Sequence, residues 1–400
     1  MPLRDHLTAL LAASLLLGAG APLAQDQNAG VRARIAQLEG LVPTVRDPSL
    51  AYLLAADYAT LGDKAKTLEW LGRAADSGVG FEPRNPAFEK FAGDAEFERL
   101  RARMEADQAP VLRSRRAFLI ERPGLVPEGV AWDAAGRRLF VGDMNAARIL
   151  AVDAQGRTRD FANGLRLRPL GMKVDAARGR LWVATTNAFW DTPKKEAELV
   201  AFDLRTGRVV ARHAHAEATS FNDLDIAPSG EIFLTDSDGG GVYRLPADGS
   251  AMQRLTPKGA MAYPNGIAWL NGRLYVAQGI ALRRVDPATG EIVRVRGLPG
   301  FPGLGIDGLY AHRGALIGVQ GFGFKGRVSR LELSPEGDAV TAARVLEAAN
   351  PAFDVPTTAA PAGDRLYVLA NSQLDRIRPD GTVAEPRALK PIVILELPLG

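Results

Sequence analysis

VPEGVAWDAAGRRLFVGD, residues 126–143, reads as a strand, a tight turn containing glycine and a second apolar strand. The same phrase returns as PLGMKVDAARGRLWVATT (169–186), SFNDLDIAPSGEIFLTDS (220–237) and YPNGIAWLNGRLYVAQ (263–278). It returns twice more as GIDGLYAHRGALIGVQ (305–320) and DVPTTAAPAGDRLYVLAN (354–371). Each phrase is followed by two further candidate strands, such as ILAVDAQ with RTRDFA or VYRLPADG with MQRLTP. Four strands recurring every 40 to 50 residues are the signature of a β-propeller blade, so residues 116–400 are expected to form a six-bladed β-propeller. The dipeptides Trp132-Asp133 and Trp190-Asp191 do not end third strands, and no Gly-His pair occurs, which excludes a WD40 repeat. RAFLIER (116–122) and PIVILELPL (391–399) lie at opposite ends of this region, and either or both can complete a blade and remove an open sheet edge.

The texture upstream is different. Residues 31–106 are rich in Ala, Leu, Glu and Arg, with apolar residues at helical spacing: Ile35, Leu38, then Leu53, Leu54, Tyr58, then Leu68, Leu71. SLAYLLAADYATLGDKAKTLEWLGRAADSG (49–78) resembles one tetratricopeptide-like hairpin turning at Gly62-Asp63, and a third helix is expected over 94–104. A single hairpin cannot build a solenoid, so this small α-helical domain reads as a cap on the propeller in preference to a docking module for a protein partner. Residues 107–115 read as a linker. Residues 1–24 read as a secretory signal, with Arg4, an apolar run from Leu7 to Leu17 and cleavage near Ala21 or Ala24. The expected destination is outside the cytoplasm, in a bacterial periplasm, with no membrane span in the mature chain.

Composition narrows the chemistry. The 400 residues are 46% hydrophobic and contain no cysteine, which excludes disulfides, cysteine-ligated zinc and a cysteine nucleophile. Lys and Arg exceed Asp and Glu by only 3, with no dense basic run, so a nucleic-acid partner has no support. Neither GxSxG nor a P-loop occurs. His213, His215 and His312 read as structural or solvent-facing.

Inner strands of a propeller line its axis, so residues in the same phase of successive blades converge there. That phase contains Glu128, Leu170 or Gly171, Asn222, Asn265, Asp307 and Thr357. Taken singly, Asn265-Gly266 and Asp307-Gly308 are ordinary turn dipeptides. Taken together, Glu128, Asn222, Asn265 and Asp307 place two carboxylates and two amides around one point. Such an all-oxygen set suits calcium, or another divalent cation, better than zinc.

The phrases PEG (127–129), FND (221–223), PNGIAW (264–269) and IDGL (306–309) make residues 120–400 resemble the calcium-dependent six-bladed propellers related to gluconolactonase and senescence marker protein, and more distantly paraoxonase. The resemblance implies that Glu128, Asn265 and Asp307 bind the catalytic cation, with Asn222 binding it or lying beside it. It also implies hydrolysis of a small-molecule lactone or related ester. The cation then polarises the carbonyl and activates a water, which Asp307 orients or deprotonates. Loops after the second strands border this end of the axis, and Phe189, Trp190, Phe322 and Phe324 are candidates for an apolar, substrate-binding mouth. The alternative is a non-catalytic propeller that binds a protein or glycan around a structural calcium. A quinone-dependent sugar dehydrogenase is disfavoured by the shortage of channel histidines.

Overall fold

A computed structural model describes residues 27–400, except 83, 84, 191 and 379. The secretory signal expected over 1–24 lies outside the described residues. Four α-helices come first: α1 (Gln27–Leu41), α2 (Ser49–Leu61), α3 (Lys64–Asp76) and α4 (Ala95–Ala106), with a 3₁₀ turn at Pro86–Phe91 before α4. Gly62 ends α2 in the left-handed region at φ 79°, where glycine carries no Cβ penalty, and Asp63 accepts the Lys66 N–H to start α3. Asp94 caps α4 in the same way, accepting from the N–H groups of Glu96 and Phe97.

The remaining chain is a six-bladed propeller, in keeping with the repeat: six antiparallel sheets of four strands each. Blades 1 to 5 are continuous in sequence, and their inner strands are Pro127–Asp133, Arg168–Asp175, Phe221–Ile226, Pro264–Leu270 and Ile306–His312. Blade 6 is assembled from both ends of the region. Its order from the axis outward is Ala359–Pro361, Arg365–Leu369, Ile392–Pro398 and Arg115–Ile120. Both terminal segments are used, and the last strand to be made pairs with the first. Alternate residues of each strand fill the spaces between blades, as Phe140, Phe161, Met172 and Phe202 do between blades 1 and 2.

The helices form a cap, and its core is shared with the propeller. Ile280, Leu304 and Phe324 belong to the same buried cluster as Leu54, Leu71, Phe81 and Phe88. Phe81 stacks on Phe324 with centroids 5.2 Å apart. The Arg327 guanidinium lies 4.4 Å over the Phe324 ring and donates to Val79 O at 2.9 Å. Further bonds run from Glu82 N to Gly323 O (2.8 Å) and from Gly303 N to Asp47 Oδ2 (3.0 Å). All of these contacts fall on blades 4 and 5, on segments at the end where inner strands begin. Among the described residues no helix is long and apolar enough to cross a membrane.

One feature has no counterpart in the repeat. Between the second and third strands of blade 6, the described residues of 370–391 leave the sheet, form 3₁₀ turns at Leu374–Arg376 and Pro386–Ala388, and fold over the channel end. Leu374, Ile377 and Val383 pack there against Val126, Met144 and Leu170.

Candidate functional site

Each inner strand of blades 1 to 5 breaks its pairing register at the same place. The shifts fall between Pro127 and Val130, Pro169 and Met172, Phe221 and Leu224, Pro264 and Ile267, and Ile306 and Leu309. A bulge frees the residues inside it from the ladder and re-aims their side chains. The residues freed here are Glu128-Gly129, Leu170-Gly171, Asn222-Asp223, Asn265-Gly266 and Asp307-Gly308. The first of each pair is the ring-phase residue read from the sequence.

The second member explains the glycines. A Cβ on Gly129 would lie 1.9 Å from Leu170 O, and one on Gly266 would lie 2.3 Å from Asp307 O. On Gly308 it would meet Thr357 O at 2.9 Å. These glycines let neighbouring inner strands approach closely around the axis; they are not hairpin turns. Blade 3 alone among these five replaces the glycine with an acid, Asp223, and Gly171 leaves room for it: a Cβ there would meet Asp223 Oδ1 at 2.5 Å.

Glu128, Asn222, Asn265 and Asp307 all line one small cavity at the end of the axis, together with Tyr263, Met144, Phe189, Phe322 and Leu374. The cavity measures about 20 Å³, room for one water-sized particle. No lysine or arginine lines it. Asn222 Nδ2 donates to Ser237 Oγ at 2.9 Å, and Ser237 Oγ in turn donates to Pro264 O at 2.7 Å, which leaves the Asn222 carbonyl oxygen as its free end. Asn265 hydrogen-bonds the Asp307 carboxylate. Oε2 of Glu128 is buried with no hydrogen-bond partner.

This electrostatic arrangement is costly as it stands. Burial, then the neighbouring Asp307 and Asp223, push Glu128 well above the usual carboxylate range. Burial pushes Asp307 up to about 7, against the Asn265 hydrogen bond and with help from Asp223. Asp223 is raised by burial to about 6, with Lys173 opposing. Asp223 accepts from Leu224 N at 2.9 Å through Oδ1, while its buried Oδ2 has no partner. Buried carboxylates without counter-charge either take up protons or hold a cation.

The donor set passes the test for a hard cation. It consists of oxygen alone, includes an orphaned carboxylate oxygen and surrounds a space for one particle. Among the described residues no three His, Cys, Asp or Glu side chains gather into a metal-binding group. The set here has two acids and two amides, and Asp223 stands outside the lining.

The four aromatic candidates divide. Phe189 and Phe322 line the cavity. Trp190 lies behind it, with its indole beneath Gly381, where a Cβ would come within 2.0 Å, and the Arg168 guanidinium 5.3 Å over its ring. The expectation for Phe324 needs correction. Gly323 has φ 79° and reverses the chain, so Phe322 turns to the axis while Phe324 is buried in the helical cap. The histidines lie elsewhere: His213 and His215 face the rings of Trp182 and Tyr243, and His312 lies between Asp364 and Arg330.

Sequence reasoning missed three contributors. Asp223 was legible as the acid standing in a glycine slot. Tyr263, held at φ 50° on the cavity wall, and Leu374, delivered by the blade 6 excursion, carry no repeat signal.

Residues 126–278 match the sequence family described as SMP-30/Gluconolactonase/LRE-like region, so the resemblance read from the motifs holds over that span. Comparison with curated proteins finds no match. Among solved structures, a gluconolactonase from Xanthomonas campestris is 20% identical, with 72% of this chain and 100% of that chain covered and a TM-score of 0.48. The PQQ-bound aldose sugar dehydrogenase of Streptomyces coelicolor is 18% identical, with 72% and 99% covered and a TM-score of 0.49. Virginiamycin B lyase of Staphylococcus aureus is 17% identical, with 72% and 88% covered and a TM-score of 0.48. Those three names carry three different chemistries, so such likeness fixes no activity.

Proposed function

We propose, for a chain whose residues 126–278 carry an SMP-30/gluconolactonase/LRE-like region, that it is a metal-dependent hydrolase of a lactone or related ester. Calcium is the proposed ion and the periplasm the proposed compartment. The observation that carries this reading is the buried pair Glu128 and Asp307, uncompensated by any cationic side chain and joined by the Asn222 and Asn265 amides at one end of the axis.

Glu128, Asn222, Asn265 and Asp307 would hold the ion. A bound divalent cation would supply positive charge beside the scissile carbonyl and lower the pKa of a coordinated water. The residues supply the rest. Asp307, facing that water, accepts a proton from it at a carboxylate oxygen as the water oxygen bonds the carbonyl carbon. It returns that proton to the ring oxygen as the carbon–oxygen bond breaks, so the product is a hydroxy acid. Met144, Phe189, Phe322 and Leu374 exclude bulk water and give the substrate an apolar wall. A space of about 20 Å³ admits no lactone, so the apolar wall of Met144, Phe189, Phe322 and Leu374 must open before substrate enters.

That same closure is the observation favouring a second reading, a structural cation in a propeller that binds a protein or glycan without turnover. One assay panel decides between them. Purified protein is offered aldonolactones, acyl lactones and aryl esters, with calcium and after chelation. Hydrolysis that is lost on chelation and falls at least ~100-fold in Asp307→Ala supports the hydrolase. Activity surviving both treatments sinks the mechanism, and calcium-dependent stabilisation without any turnover selects the binding reading.

A further inference from the structure

The inner strand of blade 5 separates two cavities. Asp307 lines the small one on the axis; its neighbour Ile306 lines a second, much larger one of about 460 Å³. That volume is within the range of small-molecule sites, about 300–1,000 Å³. One wall is the loop 44–47 joining α1 to α2, and the opposite wall is the outer part of blade 4 with the first residues of blade 5.

The lining has two chemically distinct parts. The floor is apolar, formed by Ile280, Leu282, Val295, Ile306, Leu331 and Val340, each of them buried. The rim carries Arg46, Arg294 and Arg296, all exposed. Arg296 pairs with Asp338 at 3.4 Å, whereas Arg46 and Arg294 form no ion pair among the described residues. Asp47 is the sole acid in the lining; the Arg294 charge acts on it, and its carboxylate is engaged by the backbone, Oδ1 accepting from Ser49 N at 2.8 Å and Oδ2 from Gly303 N at 3.0 Å.

A neutral apolar ligand would leave the Arg46 and Arg294 guanidinium groups, which make no close ion pair, unused, and an alkyl cation would be repelled by them. An apolar body ending in one carboxylate satisfies both parts of the lining, since guanidinium recognises carboxylate through two parallel hydrogen bonds. We propose that this cavity is a binding site for a small amphipathic carboxylate, seated between the helical cap and blades 4 and 5. The occupant bears on Ile306 and on the Asp47–Gly303 latch, and so on the strand that carries Asp307. The proposal does not depend on the hydrolase reading, because binding is measured without turnover.

The test is calorimetric titration of the full purified chain with decanoate, with a chelator present so that no ion on the axis can capture the carboxylate. Decyltrimethylammonium is titrated in parallel. The expected result is saturable binding of one decanoate, weakened at least tenfold in Arg46→Ala/Arg294→Ala, with no binding of the ammonium probe. Both arginines are exposed, and an unchanged thermal melt confirms that the variant is folded. Raising the salt concentration weakens decanoate binding to the wild-type protein, an arm that needs no variant. Absence of saturable binding overturns the proposal, as does equal binding of the two probes or affinity indifferent to both arginines and salt.

Discussion

Asp143 and Asp236, at the ends of second strands, and Glu128 and Asp307, at the starts of inner strands, are buried acids with opposite surroundings. Asp143 accepts from Arg148 Nε at 2.8 Å and from Asn145 N at 3.1 Å. Asp236 accepts from Thr219 N and Oγ1, Ser220 N and Gly239 N, all between 2.8 and 3.1 Å. Every oxygen in that group has a task within the fold. At the axis, Glu128 Oε2 has no partner, and Asp307 has one amide and two acids for company. Burial alone therefore does not mark a functional acid in this propeller. The mark is burial without compensation, and among the described residues Glu128, Asp223 and Asp307, all released by the inner-strand bulges, carry it.

The largest effect that sharpens this contrast is expected at Asp236. Replacing it with alanine strands several buried donors at once and should cost about 3–5 kcal/mol of stability, read from urea denaturation. Asp307→Asn in calcium-free buffer should cost nothing or stabilise. Equal losses for the two variants would erase the distinction between them.

An intermediate effect concerns the ion itself. Calcium at a hundredfold excess over its dissociation constant should stabilise the wild-type protein by about 2.7 kcal/mol. Glu128→Gln/Asp307→Asn should abolish that gain in a thermal melt. Undiminished stabilisation in the double variant would place the ion elsewhere.

The last effect is a pH slope. Without calcium, Asp307 and Asp223 are raised from 3.8 to about 7 and about 6, so the folded state holds protons that the unfolded chain has released. The stability tied to these protons is complete below pH 4 and is lost as pH rises through 6 to 7. Asp307→Asn should thus match wild type near pH 4 and exceed it increasingly toward pH 8. A gap that closes with rising pH would contradict the raised pKa.

These expectations rest on features of unequal visibility in the chain. The blade phrase is legible because a propeller repeats one local solution: two apolar strands and a glycine turn, each dictated by nearby residues. The convergence of Glu128, Asn222, Asn265 and Asp307 is legible for the same reason, since equal phase in equal blades means equal height on the axis. What breaks the repeat is hidden. Residues 370–391 have no periodic pattern, because their apolar residues Leu374, Ile377 and Val383 meet partners far away in sequence. Phe324 reads as a neighbour of Phe322 until the backbone at Gly323 sends the two rings apart. Asp223 looks like one more polar residue until the glycines of the other blades show that its position is a close-packed one.

The pairing of Arg115–Ile120 with Ile392–Pro398 sets a timetable as well as a shape. The helices and the hairpins of blades 1 to 5 use neighbours already made, but the ring cannot shut until residue 398 has left the ribosome. Until then two unpaired margins, at blade 1 and blade 5, stay open to other chains.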